Sequence, residues 1–276
     1  KQSLIKKVRS HKINKVRVFN RNLRFKLENG FEKFLKNQKI LNISRKSKYI
    51  IFHLEKKNFC LMHLGMSGTL HLINKKKNKF TNLSFYHSNS LPKKHNHIVL
   101  YISNFKLVYN DPRRFGFFRL IKSEKELFDY FKPIEPEALD KNFNINYVKE
   151  RLKNKTKNIK NLLIDQNFVS GIGNIYASEI LYYSKINPQK KALKIKSKEI
   201  KNIIKFTNFV LKKAIKKGGS SIRNFKNLKG VDGNFQKEFK VYNREEQKCL
   251  RVKCDGVIKK VIISNRSTFY CNLCQK

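Results

Sequence analysis

Four of the chain's five cysteines stand together near its end, as Cys249, Cys254, Cys271 and Cys274, and they restrict what that end can fold into. Clustered thiols in a reducing compartment point to a metal site before they point to disulfides. Four thiolates close a tetrahedral shell around Zn2+, and two ligand pairs joined by a two-stranded hairpin make a zinc ribbon. The second pair, Cys271-Asn272-Leu273-Cys274, has the tight two-residue spacer, whereas four residues separate Cys249 from Cys254. Val257-Ile258 and Val261-Ile262-Ile263 flank a lysine pair between them, a pattern that suits the hairpin. A ribbon this small has almost no core, so one structural zinc would supply its folding free energy. The competing reading is four unligated thiols left by sequence drift. Cys60, far from the others on a strand-like segment, reads as a small buried hydrophobe.

Upstream of the cysteines the hydrophobic period changes once. Between residues 13 and 121 the apolar runs are short and rich in β-branched and aromatic residues. Examples are Tyr49-Ile50-Ile51-Phe52-His53-Leu54, His97-Ile98-Val99-Leu100-Tyr101-Ile102 and Phe115-Gly116-Phe117-Phe118-Arg119-Leu120. Asn, Ser, Gly and Lys clusters separate them, which predicts a β-sandwich or barrel. Short helices are expected at Ser3 to Val8 and over Gly30 to Asn37. After Pro133 and Pro136 the spacing becomes three and four, at Tyr147, Val148 and Leu152 and again at Ile159, Leu162 and Leu163. The clearest helix runs from a Ser197 cap through Ile200, Ile203, Ile204, Thr207, Val210, Leu211 and Ala214 to Gly218-Gly219. Residues 218 to 238 have little period and read as a long loop. The fold class is therefore α+β and multidomain. Its expected divisions are 1–122 as a β-sandwich, 123–238 as a helical domain ending in that loop, and 239–276 as the zinc ribbon.

Charge narrows the partner. The 276 residues carry 63 basic and 19 acidic side chains, a formal net charge of +44. Lysine or arginine set against phosphate releases condensed counterions, so nucleic acid is the expected partner. Heavy use of Lys, Asn, Ile, Phe and Tyr with no Trp also fits an AT-rich genome, and both causes can act together. No apolar stretch reaches the length of a membrane span, and the lysine-rich start lacks the apolar core of a secretory signal. A cytoplasmic, nucleoid-associated protein without membrane contact is the expectation.

Two short motifs carry chemistry. Ser170-Gly171-Ile172-Gly173-Asn174-Ile175-Tyr176 sets two glycines before a helix, whose unpaired first-turn amides can point at a phosphate. Alone it is equally an ordinary tight turn. Asp111-Pro112-Arg113-Arg114-Phe115-Gly116 offers a turn tipped by two guanidiniums and a ring, able to push into a base stack. Its plainer reading is a β-turn with a solvated arginine pair and a core phenylalanine.

Taken with His63-Leu64-Gly65-Met66-Ser67-Gly68, Gly171 to Glu179 and Asn265-Arg266-Ser267-Thr268-Phe269-Tyr270-Cys271, these motifs occur in the order and approximate spacing of bacterial formamidopyrimidine-DNA glycosylases. The sequence resembles that family nearly end to end. The resemblance implies a β-sandwich, a helix-two-turn-helix domain and a zinc ribbon, and a monomer that binds double-stranded DNA containing oxidised purines or abasic sites. It implies excision of 8-oxoguanine and formamidopyrimidines, followed by β- and δ-elimination at the abasic site. By the same resemblance Lys48 contacts the phosphate beside the lesion and assists catalysis, and Arg266 grips phosphate and donates a proton in δ-elimination. Met66, Arg113 and Phe115 fill the helix where the base leaves, Asn174 holds a flanking phosphate, and His95 and Lys155 contact DNA. The loop from Gly218 to Phe235 resembles the flap over the extruded base.

Two departures accompany the match. The family's first cysteine pair usually has a two-residue spacer, so a distorted knuckle is expected around Cys249 and Cys254. The family also opens with Met-Pro-Glu, whose proline attacks the sugar, whereas the sequence here starts at Lys1. A fragment or mis-called start is the expectation, with a degenerate, non-cutting DNA binder as the alternative. An endonuclease VIII type enzyme acting on oxidised pyrimidines is disfavoured by the intact His63 to Gly68 and Asp111 to Gly116 motifs. A basic zinc-ribbon protein of the translation apparatus is more distant still.

Overall fold

The computed structural model describes residues 2–74, 80–81, 93–134, 136–220 and 235–276. They form two compact units, one extending to Lys132 and the other comprising Pro133–Ser220 with Asn234–Lys276.

The first unit is an antiparallel sandwich. Its elements are α1 (Gln2–Val8), β1 (Ile13–Val18), α2 (Phe31–Leu35), β2 (Asn42–Lys46), β3 (Tyr49–His53), β4 (Phe59–His63), β5 (Thr69–Asn74), β6 (Phe80–Thr81), β7 (Asn96–Ile102), β8 (Phe105–Asn110), β9 (Phe117–Ile121) and α3 (Glu124–Phe131). One sheet has the order β1-β7-β8-β5-β6 and the other β2-β3-β4-β9. Strand side chains alternate between faces, so every second residue reaches the core. Ile98, Leu100 and Ile102 of β7, Leu70 and Leu72 of β5 and Leu107 and Tyr109 of β8 supply one wall. Cys60 and Met62 of β4, with Phe118 and Leu120 of β9, supply the other. Cys60 is the buried hydrophobe its sequence suggested, and burial pushes its thiol pKa far up, so it stays protonated. The expected helix over Gly30 to Asn37 shortens to α2, because Gly30 and Asn37 both take left-handed backbone that ends a helix.

The second unit contains α4 (Ile145–Leu152), α5 (Ile159–Ile164), α6 (Asn174–Ser184), α7 (Ser197–Lys216), β10 (Ile258–Ile263) and β11 (Arg266–Cys271). Asn144 and Asn158 cap α4 and α5 by accepting from the backbone N–H three residues on. The cap of α7 falls on Lys196 rather than Ser197. Its backbone N–H donates to the Glu199 carboxylate three residues on, the half of a capping box that the glutamate supplies. The apolar face of α7 packs on α4 and α6 through Ile200, Ile203, Val210 and Ala214. Glu179, buried on α6, accepts from the backbone N–H groups of Lys240, Val241 and Tyr242, tying the chain entering the ribbon to the helices. No helix among the described residues is long and apolar enough to cross a membrane. Of the expected flap, residues 221–234 lie outside the described residues.

Candidate nucleic-acid interface

In the sandwich, the ends of several strands meet around one carboxylate. Asp111 is fully buried and accepts from Ser67 Oγ, Tyr109 Oη and the backbone N–H groups of Arg113 and Gly116. A buried carboxylate is tolerable only when its lone pairs are used, and here four donors use them. The two motifs that looked separate in sequence are thereby locked together, the 63–68 turn through Ser67 and the 111–116 turn through its own backbone.

Close backbone approach makes the lock tight. A Cβ on Gly65, whose φ is +65°, would lie 2.6 Å from the Phe115 carbonyl carbon. One on Gly116 would lie 2.1 Å from Tyr109 Oη and 2.6 Å from the His63 carbonyl oxygen. Gly116→Ala must therefore displace a buried ring or part the two turns. Overpacking of this kind costs about 3 kcal/mol, read as a lowered denaturant midpoint; an unchanged midpoint would contradict the crossing of the turns.

On this base three side chains project together. Met66 is 64% exposed and Phe115 42% exposed, both unusual for large apolar groups. The Arg113 guanidinium lies 4.3 Å from the Phe115 ring centroid and its Nη1 is 3.9 Å from Met66 Sδ. The structure therefore groups the trio into one apolar and cationic tip. Phe115, expected at the start of a strand, lies before it: β9 begins at Phe117, and Arg114 ahead of Phe115 takes left-handed backbone.

Lys48 sits exposed in the β2–β3 turn, one residue before Tyr49, which pairs with His63 across β3 and β4. Burial lowers the His63 pKa, and the Lys48 and Arg24 charges lower it further. The imidazole is accordingly neutral, and its Nδ1 accepts the Gly65 N–H at 3.0 Å, which assigns its proton to Nε2. His95 precedes β7, and its carbonyl accepts the Asp111 N–H. Burial and Lys94 lower its pKa also. Met66, His95, Arg113 and Phe115 thus gather at the strand ends bordering Asp111, while Lys48 acts on His63 at the head of the 63–68 turn.

In the second unit the anchor is the start of α6. Gly173 caps it without a side chain, leaving first-turn amides to seek another acceptor. Asn174 Oδ1 accepts from Lys160 Nζ at 2.5 Å and its Nδ2 donates to the Ser267 carbonyl at 2.8 Å. Lys160 also donates to Thr268 Oγ1 at 2.6 Å. The lysine is fully buried and forms no ion pair with a carboxylate among the described residues, and burial together with the Arg266 charge lowers its pKa to about 8.

Arg266 is exposed at the head of β11. Ser264 and Asn265, both with positive φ, form the two-residue hairpin turn before it. Lys155 lies in the α4–α5 turn, exposed, with its carbonyl accepting the Leu193 N–H. The cation bonded to Asn174 is Lys160, which sequence reading passed over. The available signal was a lysine inside the apolar run Ile159, Leu162, Leu163, where a charge needs a reason.

The four cysteine Sγ atoms lie within 4.8 Å of one another, with Cys249 to Cys274 at 3.9 Å and Cys254 to Cys271 at 3.7 Å. Tetrahedral Zn–S bonds of about 2.3 Å imply sulfurs about 3.8 Å apart, so the donor set fits one Zn2+. The long Cys249 to Cys254 spacer bulges outward, leaving Leu250 and Val252 exposed. Arg251 pins it by stacking 4.6 Å over Tyr182 and donating to that residue's carbonyl, and the sulfurs still converge.

Comparison with known proteins finds three family models along the chain. Residues 1–118 match the family model described as the formamidopyrimidine-DNA glycosylase N-terminal domain, and 134–226 match the formamidopyrimidine-DNA glycosylase H2TH domain. Residues 246–276 match a zinc finger found in FPG and IleRS. The chain is 39% identical over 277 residues to a formamidopyrimidine-DNA glycosylase of Rickettsia bellii (strain OSU 85-389), spanning 100% of this chain and 96% of that protein. It is 36% identical over 244 residues to one of Roseobacter denitrificans, spanning 88% and 84%. Among solved structures, a complex of Lactococcus lactis Fpg with DNA containing an abasic site is similar, with TM-score 0.87, 31% identity, and coverage of 100% and 96%. A complex of the same protein with Fapy-dG-containing DNA has TM-score 0.86 at the same identity.

Proposed function

The chain belongs to the formamidopyrimidine-DNA glycosylase family of base-excision repair enzymes, and on that premise we propose how its residues divide the work on duplex DNA carrying an oxidised purine or abasic site. The observation that carries the reading is the buried Lys160 ammonium bonded to Asn174, with the Arg266 charge acting on it.

Met66, Arg113 and Phe115 form the wedge. Inserting Phe115 beside the lesion separates neighbouring bases, and Met66 occupies the gap left by the extruded nucleotide. Arg113 presents N–H donors to the orphaned partner base. Both apolar tips are exposed in the free protein, so the wedge is preformed and needs only the DNA to move. Lys48 and His95 bind backbone phosphate beside it.

Asn174 has one amide hydrogen committed to Ser267 and one free. That hydrogen, the first-turn amides of α6, and the Lys160 and Arg266 charges together clamp a phosphate flanking the lesion. Arg266 at the same phosphate donates the proton that the departing group takes up in δ-elimination. Lys155 adds a peripheral phosphate contact. The zinc-bound ribbon does no chemistry; when bound, the ion holds the hairpin that carries Arg266. We place the protein in the cytoplasm, as a monomer on chromosomal DNA.

The test is base release and strand nicking by the full-length gene product on duplexes containing 8-oxoguanine or thymine glycol. Faster excision of 8-oxoguanine supports the assignment, and preference for thymine glycol overturns it. Lesion binding without any nick would instead favour the non-cutting homologue. Met66→Ala combined with Phe115→Ala should lower kcat/KM on the 8-oxoguanine duplex by about 100-fold, the scale on which loss of positioning slows an enzyme. Thermal stability should barely change, because both side chains are exposed.

A further inference from the structure

The outward face of α7 carries a feature that lesion recognition does not use. Lys198, Lys201, Lys205, Lys212 and Lys216 are all exposed. At 3.6 residues per turn they fall within an arc of about 60° and along about 27 Å of helix. The buried residues Ile200, Ile203, Thr207, Val210 and Ala214 lie on the opposite side. Because that side packs on α4 and α6, the lysines point away from both.

Other lysines of this helix are neutralised. Lys213 and Lys217 share the Glu238 carboxylate, and Glu199 is held by Lys190 and the Lys196 N–H. Among the described residues none of the five striped lysines forms an ion pair. Like charges three and four residues apart destabilise a helix, so the stripe is a standing repulsion that a polyanion would relieve. Phe209, 44% exposed, borders it and packs edge-on against Tyr183.

We propose that this face of α7 is a second contact for duplex DNA, independent of the lesion, which grips phosphates of a neighbouring DNA segment while the wedge and the Lys160 cradle hold the damaged one. The proposal rests on the DNA-repair reading above. Duplex DNA presents one charge per about 1.7 Å of axis, so a rod of lysines this long finds a phosphate for each ammonium without any fixed register. The contact reads no sequence. It keeps the enzyme near DNA between lesions.

The experiment uses full-length protein saturated with a short duplex bearing a tetrahydrofuran abasic analogue, then titrated with a longer, labelled, undamaged duplex over a series of salt concentrations. The labelled duplex should bind the preloaded protein, with log K falling against log salt at a slope of about −4.5 for five displaced counterions. Changing all five lysines to glutamine should abolish that second binding while leaving excision on the short duplex unchanged, and changing them to arginine should preserve it. The proposal is overturned if the preloaded protein ignores the second duplex or if the glutamine variant binds with the same slope. Stripe-dependent binding to vesicles containing phosphatidylserine, with none to the duplex, also overturns it. Failure of the lesion analogue to bind in the first step would instead count against the DNA-repair reading, so the two failures are separable.

Discussion

Cys271→Ser should strip the protein of zinc and abolish excision, reducing kcat/KM by at least about 100-fold, a loss expected when groups that must be positioned come loose. Its sulfur lies 3.7 Å from Cys254 Sγ and accepts the Cys274 N–H, so a hydroxyl there removes both a metal bond and a local support. The buried residues of the apolar cluster at the ribbon are Val241, Cys249, Ile258, Phe269 and Cys271 with Tyr182 of α6. Two of those six are themselves ligands. Structural zinc contributes apparent binding free energies of about 10–16 kcal/mol to small fingers, at or above the roughly 6–12 kcal/mol that burying four large side chains supplies. Once β10 and β11 disorder, the Ser267 carbonyl and Thr268 hydroxyl leave Asn174 and Lys160, and Arg266 is lost from the cradle. Elemental analysis should find less than one tenth of the zinc of the parent, while the sandwich, whose core contains none of these residues, keeps its own melting transition. Stoichiometric zinc in the variant would refute the four-thiolate site.

Much of this arrangement was legible because it depends on local period and spacing. The strands β3, β7 and β9 follow directly from the short apolar runs, and α7 from its three- and four-residue spacing. The cysteine pairs announce their own convergence. What could not be read were polar groups satisfied across long sequence separations. Asp111 organises two motifs 44 residues apart through Ser67, and nothing near it in sequence reveals its burial. Lys160 takes partners 14 and 108 residues away, so in the short α5 it looks like one more solvated lysine in a lysine-rich chain. Glu179 is similar. Its acceptors' partners are three successive backbone amides some sixty residues downstream. The α7 start lies one residue earlier than Ser197 suggests, because Glu199 reaches back to the Lys196 N–H and Ser197 becomes the first helical residue. Family resemblance pointed to Asn174 and Arg266, whereas the buried cation bonded to Asn174 is visible only in the contacts.

Lys160→Met should leave the fold about as stable at pH 7 yet weaken binding of an abasic-analogue duplex by about 10- to 100-fold, the loss of a charge-assisted phosphate contact. The reason lies in the sign of its pKa shift. The folded value is about 8 against an ordinary 10.5, so the protonated lysine is disfavoured by folding. That cost is fully present below pH 8, fades as pH rises from 8 towards 10.5, and vanishes above it; parent stability relative to the variant should therefore climb through that window. At pH 7 the cost amounts to about 3 kcal/mol. Methionine removes it, but orphans Asn174 Oδ1 and one bond to Thr268 Oγ1, each worth about 1–3 kcal/mol when left unmade. The opposing effects nearly cancel, which is why stability alone would hide the role of this lysine. Binding exposes it. An incoming phosphate stabilises the ammonium and raises its pKa again, so parent affinity should decline as pH passes 8, when a proton must first be recovered. The methionine variant lacks that proton and should show a flatter profile. Affinity of both proteins measured from pH 6.5 to 9.5, a window of about 1.5 units on either side of that pKa, decides the matter: parallel curves would remove Lys160 from the phosphate cradle, whereas convergence at high pH would place the buried ammonium at its centre.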